Sequence, residues 1–171
     1  VPLALPAPAG PLPRATPIQL ADAGATGELG RRLALELLPQ CRPGQAPLLL
    51  LLGDLGAGKT CLVQGLAEEL GIEEPITSPS FALAQHYRGQ RQGRATHLVH
   101  LDLYRLDDGA AAAELLAQEE EEAMALGAVL ALEWPQRLSH WPSPAWQLRL
   151  AWDDRPGQAQ PGRLAWLLAP T

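Results

Sequence analysis

The chain has 171 residues, of which 47% are hydrophobic and 19% charged, with a formal net charge of -6. That length suits one domain with a sizeable core, and the acidic balance excludes a broad cationic surface able to hold nucleic acid unaided. No apolar run approaches the roughly 18 residues of a membrane span, the start VPLALPAPAG lacks the basic region of a secretory signal, and Cys41 and Cys61 give neither a disulfide framework nor metal spacing; a cytoplasmic protein with free thiols and no membrane attachment is expected.

Six prolines fall within residues 1–17 among Ala and Leu without periodicity, which predicts a poorly ordered arm. A single domain is expected over residues 18–171. Ile18 to Leu20 suits a short strand, after which Asp22 or Thr26 can cap a helix with Leu29, Leu33 and Leu37 on one face. Pro39 and the CRPGQ segment end that helix. Leu48 to Leu52 is a continuous apolar run between Pro47 and Gly53, as expected of a strand buried on both faces. Lys59 to Leu70 follows as a helix, stopped by Gly71. The proline-containing IEEPITSPSF segment reads as a loop. Phe81 to Tyr87 and Ala95 to Leu101 form a predicted hairpin joined by the turn RGQRQGR. Gly109 to Met124 is helix-forming, Ala128 to Leu132 is a second buried strand running into Glu133, and Gln147 to Trp152 and Arg163 to Leu168 are closing strands. The fold expected is α/β, a P-loop NTPase-like three-layer sandwich with a mixed, mostly parallel central sheet.

Lys59 is the only lysine, against 12 arginines, and it lies in Gly53-Asp54-Leu55-Gly56-Ala57-Gly58-Lys59-Thr60, a full match to the phosphate-binding pattern G-x-x-x-x-G-K-[ST]. A compact ammonium fits between phosphate oxygens where a planar guanidinium does not. Backbone N–H groups of the loop converge on an anion at a helix N-terminus, where partial positive charge accumulates. Lys59 is therefore expected at the β- and γ-phosphates, and the Thr60 hydroxyl at a magnesium ion. Cys61 follows as a spectator thiol in the first helical turn.

Phosphoryl transfer also needs an acidic group near the magnesium, at the carboxyl end of a neighbouring strand. Asp102 ends HLVHLD and Glu133 ends ALE, so both are candidates, and spacing does not decide which binds the metal. Thr77, Ser78 and Ser80 lie where nucleotide switch segments occur; a proline-fixed connection without ligand contact is the alternative. His86, His97 and His100 lack a clear ligand set and read as structural or surface histidines. The Glu119 to Glu122 run reads as a solvated helix end. Trp141, Trp146, Trp152 and Trp166 are expected to pack on the sheet, whereas Trp134 sits between Glu133 and Pro135. A guanine-recognition motif of the type [NT]-K-x-D requires a second lysine, so ATP is the expected nucleotide.

In this order and at these intervals, GDLGAGKT, TSPSFALAQHY, HLDLYRL and ALEWPQR resemble the TsaE family, the ATPase of bacterial tRNA threonylcarbamoyladenosine biosynthesis. The resemblance spans about residues 18–168. It implies that Asp102 and Glu133 form the acidic, metal-linked part of the site and that Trp134 is functionally sensitive. TSPSF would be a switch-like segment. Thr26, in ATGELGRRLA, would approach the nucleotide base, and Arg163 would match a late arginine near the nucleotide. The family's partners, TsaD and TsaB, would bring tRNA indirectly. Departures from the family pattern are Gln85-His86-Tyr87 in place of an acidic Asn-Glu-Tyr type of sequence, Cys61 in place of Thr, and an acidic, alanine-rich helix before ALEWP. Two other functions suit the same loop: a small-molecule kinase using Arg88, Arg91 and Arg94 as a lid, and a non-catalytic assembly factor that uses ATP only to order a docking surface.

Overall fold

A computed structural model describes residues 16–157 and 159–170. Apart from Thr16 and Pro17, the arm expected over residues 1–17 lies outside the described residues. The elements are β1 (Ile18–Leu20), α1 (Ala23–Leu37), β2 (Leu48–Leu52), α2 (Lys59–Glu69), β3 (Ala84–Arg91), β4 (Arg94–Asp102), α3 (Gly109–Leu126), β5 (Val129–Glu133), β6 (Trp146–Asp153) and β7 (Gly162–Leu168). One seven-stranded sheet runs β1-β7-β6-β2-β5-β4-β3. Strands β6, β2, β5 and β4 are mutually parallel, and β1 shares their direction through two antiparallel steps, leaving β7 and β3 reversed. The sheet is therefore mixed, with most strands pointing one way.

Every residue of β2 is buried because its two faces feed different cores. Leu49 and Leu51 face α1 and α2, packing with Leu33, Leu37, Leu62, Leu66 and Leu70. Leu48, Leu50 and Leu52 face α3, packing with Ala112, Leu116 and Ala123. This gives three layers, helix, sheet and helix. Among the described residues, no helix is long and apolar enough to cross a membrane.

Local chemistry sets the helix ends. The Asp22 carboxylate accepts from Ala25 N–H at 2.8 Å and caps α1, which leaves Thr26 inside the first turn, fully buried, its hydroxyl donating to Asp22 O. Asp108 caps α3 in the same way through Ala110 N–H, and Gly127 at φ 63° ends it. The α1–α2 crossing is close enough for backbones to meet: a Cβ on Gly65 would lie 1.9 Å from Gly27 O, and one on Gly30 would lie 2.1 Å from Leu62 O.

Three expectations need correction. The hairpin turn is only Gln92-Gly93, both at positive φ, as a two-residue turn that matches strand twist requires; most of RGQRQGR is strand, paired from Gly89↔Thr96 to Arg91↔Arg94. Phe81 to Leu83 is not strand, because Leu83 adopts φ 68° and β3 starts after it. The Glu119 to Glu122 run is not wholly solvated either. Glu119 is buried and its carboxylate meets His86 Nε2 at 2.5 Å, so α3 turns one acid of the run toward β3.

Candidate functional site

Parallel pairing brings three strand ends to one edge of the sheet. Asp102 at the end of β4 is the register partner of Glu133 at the end of β5, and Glu133 is paired with Leu51, two residues before Gly53. Gly53, Gly56 and Gly58 take positive φ values of 142°, 79° and 105° in the loop between β2 and α2. Gly58 then serves as the N-cap of α2 in left-handed conformation, which points the following backbone N–H groups out of the helix end.

A cleft of about 450 Å³ opens at this edge. It brings together Leu55, Gly56, Gly58, Lys59, Thr60, Cys61, Ser78, Ser80, Asp102, Glu133 and Trp134 from the expected set. Gly53, Asp54 and Ala57 shape the loop without lining the cleft. Lys59 is only 5% exposed. Its Nζ donates to Gly53 O at 2.7 Å and Asp54 O at 2.9 Å, and lies 4.7 Å from the centre of the Trp134 ring. Burial lowers the Lys59 pKa, opposed by the negative charges of Glu133, Asp102 and Asp54. The Asp102 carboxyl is raised above its usual range, chiefly by burial and further by Glu133, while hydrogen bonds from Tyr104 N–H and the Ser78 hydroxyl act the other way. Two nearly buried carboxylates are thus held side by side with one ammonium nearby, a donor set suited to a hard divalent cation with oxygen ligands. The Thr60 hydroxyl, 3.4 Å from Glu133 Oε1, adds a hydroxyl oxygen to that set.

Thr26 and Arg163 lie outside the cleft lining but flank the loop. A Cβ on Gly58 would be 3.0 Å from Arg163 Nε and 3.5 Å from Thr26 Cγ2. The Arg163 guanidinium also covers the Trp152 ring at 4.4 Å. Thr77 is exposed and does not line the cleft. Trp134 is 4% exposed at φ 60°, a left-handed conformation uncommon for an aromatic residue, with its ring 4.9 Å from that of Tyr104.

The sequence does not single out Tyr104 and Arg105, which line the cleft, or the contact of His100 Nε2 with Glu133 Oε1 at 2.9 Å. The signal was present, since all three lie in HLDLYRL around Asp102. Arg105 stacks 4.0 Å from the ring of Phe81, which is 82% exposed. Of the three arginines considered as a lid, Arg91 is held by Glu69 through Nε and Nη2, and Arg88 and Arg94 sit in the hairpin strands, away from the cleft. Among the described residues, a second group with metal-ligand spacing is His86, Glu119 and Glu122, outside the cleft, where the histidine pairs with the acids.

Comparison with known proteins gives a consistent picture. Residues 20–160 match the family described as "Threonylcarbamoyl adenosine biosynthesis protein TsaE". A Synechocystis protein named "tRNA threonylcarbamoyladenosine biosynthesis protein TsaE" is 43% identical over 127 residues, covering 72% of this chain and 73% of the relative. A Nostoc protein of the same name is 40% identical over 139 residues, covering 81% and 80%. Among solved structures, YdiB from Bacillus superposes with a TM-score of 0.57 at 22% identity, over 90% of this chain and 87% of that one, a likeness of fold.

Proposed function

Because this chain belongs to the TsaE family, we propose that it is the magnesium-dependent ATPase component of tRNA threonylcarbamoyladenosine biosynthesis, acting with TsaD and TsaB, which engage the tRNA. The observation that carries this reading is the convergence of Lys59, Thr60, Asp102 and Glu133 on one cleft beneath the glycine loop. In it, the N–H groups at the start of α2 bind the nucleotide phosphates. Lys59 exchanges its Gly53 and Asp54 carbonyl partners for β- and γ-phosphate oxygens. Thr60, Asp102 and Glu133 would hold Mg2+, which when bound neutralises charge on the phosphoryl group being transferred. Trp134 orients the Lys59 ammonium through its ring face. Ser78 ties the TSPS segment to Asp102, so that segment can respond to what occupies the cleft. Thr26 and Arg163 flank the loop on the side assigned to the base.

The test is phosphate release and tRNA modification by the wild type and Lys59→Ala, each with and without TsaD and TsaB. ATP-dependent modification and phosphate release that both disappear in Lys59→Ala support the reading. Phosphorylation of a small acceptor would replace it with a kinase, and modification without any ATP turnover would replace it with an assembly factor.

A further inference from the structure

His100 is completely buried, yet it is a polar residue in the middle of a strand that otherwise contributes Leu98, Val99 and Leu101 to the cores. Its side chain lies on the same sheet face as Glu133, since β4 and β5 pair His100 with Ala131 two residues before the acid. The ring Nε2 is 2.9 Å from Glu133 Oε1, the same oxygen that faces the Thr60 hydroxyl at 3.4 Å. The other ring nitrogen, Nδ1, is buried without a hydrogen-bond partner. A buried N–H without an acceptor costs more than a bare lone pair, so the ring proton belongs on Nε2, donated to the carboxylate.

We infer that His100 is a positioning residue that fixes the rotamer of Glu133 by donating from Nε2 to Oε1, keeping the carboxylate ready for a divalent cation at the Thr60 end of the cleft. This rests on the role proposed for Glu133 in holding Mg2+. A carboxylate at the end of a strand, next to Asp102, is repelled by its neighbour and turns away unless something holds it. Among the described residues, no other side chain donates to Glu133 from within the sheet, and the Thr60 hydroxyl is the group expected to turn toward the metal. Outer-shell hydrogen bonds of this kind orient metal-binding groups, and their removal typically weakens metal affinity or activity about 10–100-fold.

The experiment compares wild type with His100→Leu, His100→Gln and His100→Asn. Glutamine carries an amide N–H out to the position of Nε2, whereas asparagine reaches only as far as Nδ1. ATP affinity is measured in EDTA, and the Mn2+ concentration that half-saturates the ATP complex is followed by electron paramagnetic resonance. The expected result is an unchanged ATP affinity in EDTA for all variants, a rise of about tenfold or more in half-saturating Mn2+ for His100→Leu and His100→Asn, and recovery close to wild type in His100→Gln. Should His100→Leu fail to fold, the Gln and Asn pair carries the comparison. Wild-type Mn2+ response in all variants overturns the inference, as does equal loss in Gln and Asn, which would assign the effect to packing. Failure of every variant to fold would make His100 a core residue alone and overturns it too. If the wild type itself binds no ATP, or shows no response to Mn2+, it is the proposed ATPase reading that fails.

Discussion

Replacing Gly65 by alanine tests the α1–α2 crossing on which the phosphate loop rests. The added Cβ would lie 1.9 Å from Gly27 O, 2.6 Å from Gly27 C and 2.8 Å from Gly27 Cα, all backbone atoms that cannot rotate aside. An ordinary carbon–oxygen contact of about 3.3 Å requires the helices to part by more than about 1 Å. Overpacking of this kind costs about 3 kcal/mol when neither side can yield, and the better helix propensity of alanine returns about 1 kcal/mol. The net loss of about 2 kcal/mol corresponds to a fall in Tm of about 4–8 °C for a domain of this size. Gly27 supplies an internal control on the facing helix, because a Cβ there meets nothing within 4 Å. Gly27→Ala is expected to raise Tm by about 2–4 °C through propensity alone. Thermal melts followed by circular dichroism read both. Equal or higher stability in Gly65→Ala, or the same direction of change in both variants, would refute the reasoning.

Lys59→Ala is expected to lower ATP turnover about 100-fold or more, as loss of a charged donor to a developing oxyanion does, with the circular dichroism spectrum preserved; near-wild-type phosphate release counts against it. Burial raises the Asp102 carboxyl above its usual range, so its ionised form opposes folding above the folded-state pKa, and this penalty fades as pH falls through that value toward the unfolded one. Asp102→Asn should therefore raise Tm at neutral pH without Mg2+ while reducing Mg2+-dependent turnover, and the gain in Tm should shrink toward about pH 4; a gain that grows on acidification contradicts this. Burial pushes the Cys41 thiol up to about 11, leaving almost no thiolate at neutral pH, and Cys61 lines the cleft. Mass spectrometry after maleimide treatment should find Cys61 labelled before Cys41, with ATP slowing Cys61; the reverse order would defeat the assignment.

Features governed by local chemistry were legible in the residues. The leucine run and the glycine-rich loop gave β2, α2 and the position of Lys59, and Asp102 and Glu133 stood at the ends of apolar strands, where parallel pairing brings them into register. What the residues concealed depends on partners distant in sequence. Glu119 looks like one of four equivalent acids until His86 on β3 is seen to face it. His100 looks like a core histidine until Glu133, 33 residues away, is placed beside it. The start of β3 lies later than strand propensity suggests because Phe81 is apolar yet exposed, its ring taken up by Arg105, and because Leu83 turns left-handed. Tertiary context overrode strand propensity at that point.

The all-leucine composition of β2 carries a consequence for how the chain finds its pairing. A strand normally announces its alignment through alternating side chains, and sliding it by one residue exchanges its inner and outer faces. In Leu48–Leu52 such a slide replaces leucine by leucine on both faces, so the strand interior contains no information about where it should stop. The bookends supply it. Pro47 has no N–H to add to the ladder, and at the other end a Cβ in place of Gly53 would strike Leu150 O at 2.5 Å, so only glycine can occupy that point beside β6. Pro47 and Gly53 thus act as punctuation for an otherwise monotonous word, and the phosphate loop begins at the right residue because the strand before it has one legal frame.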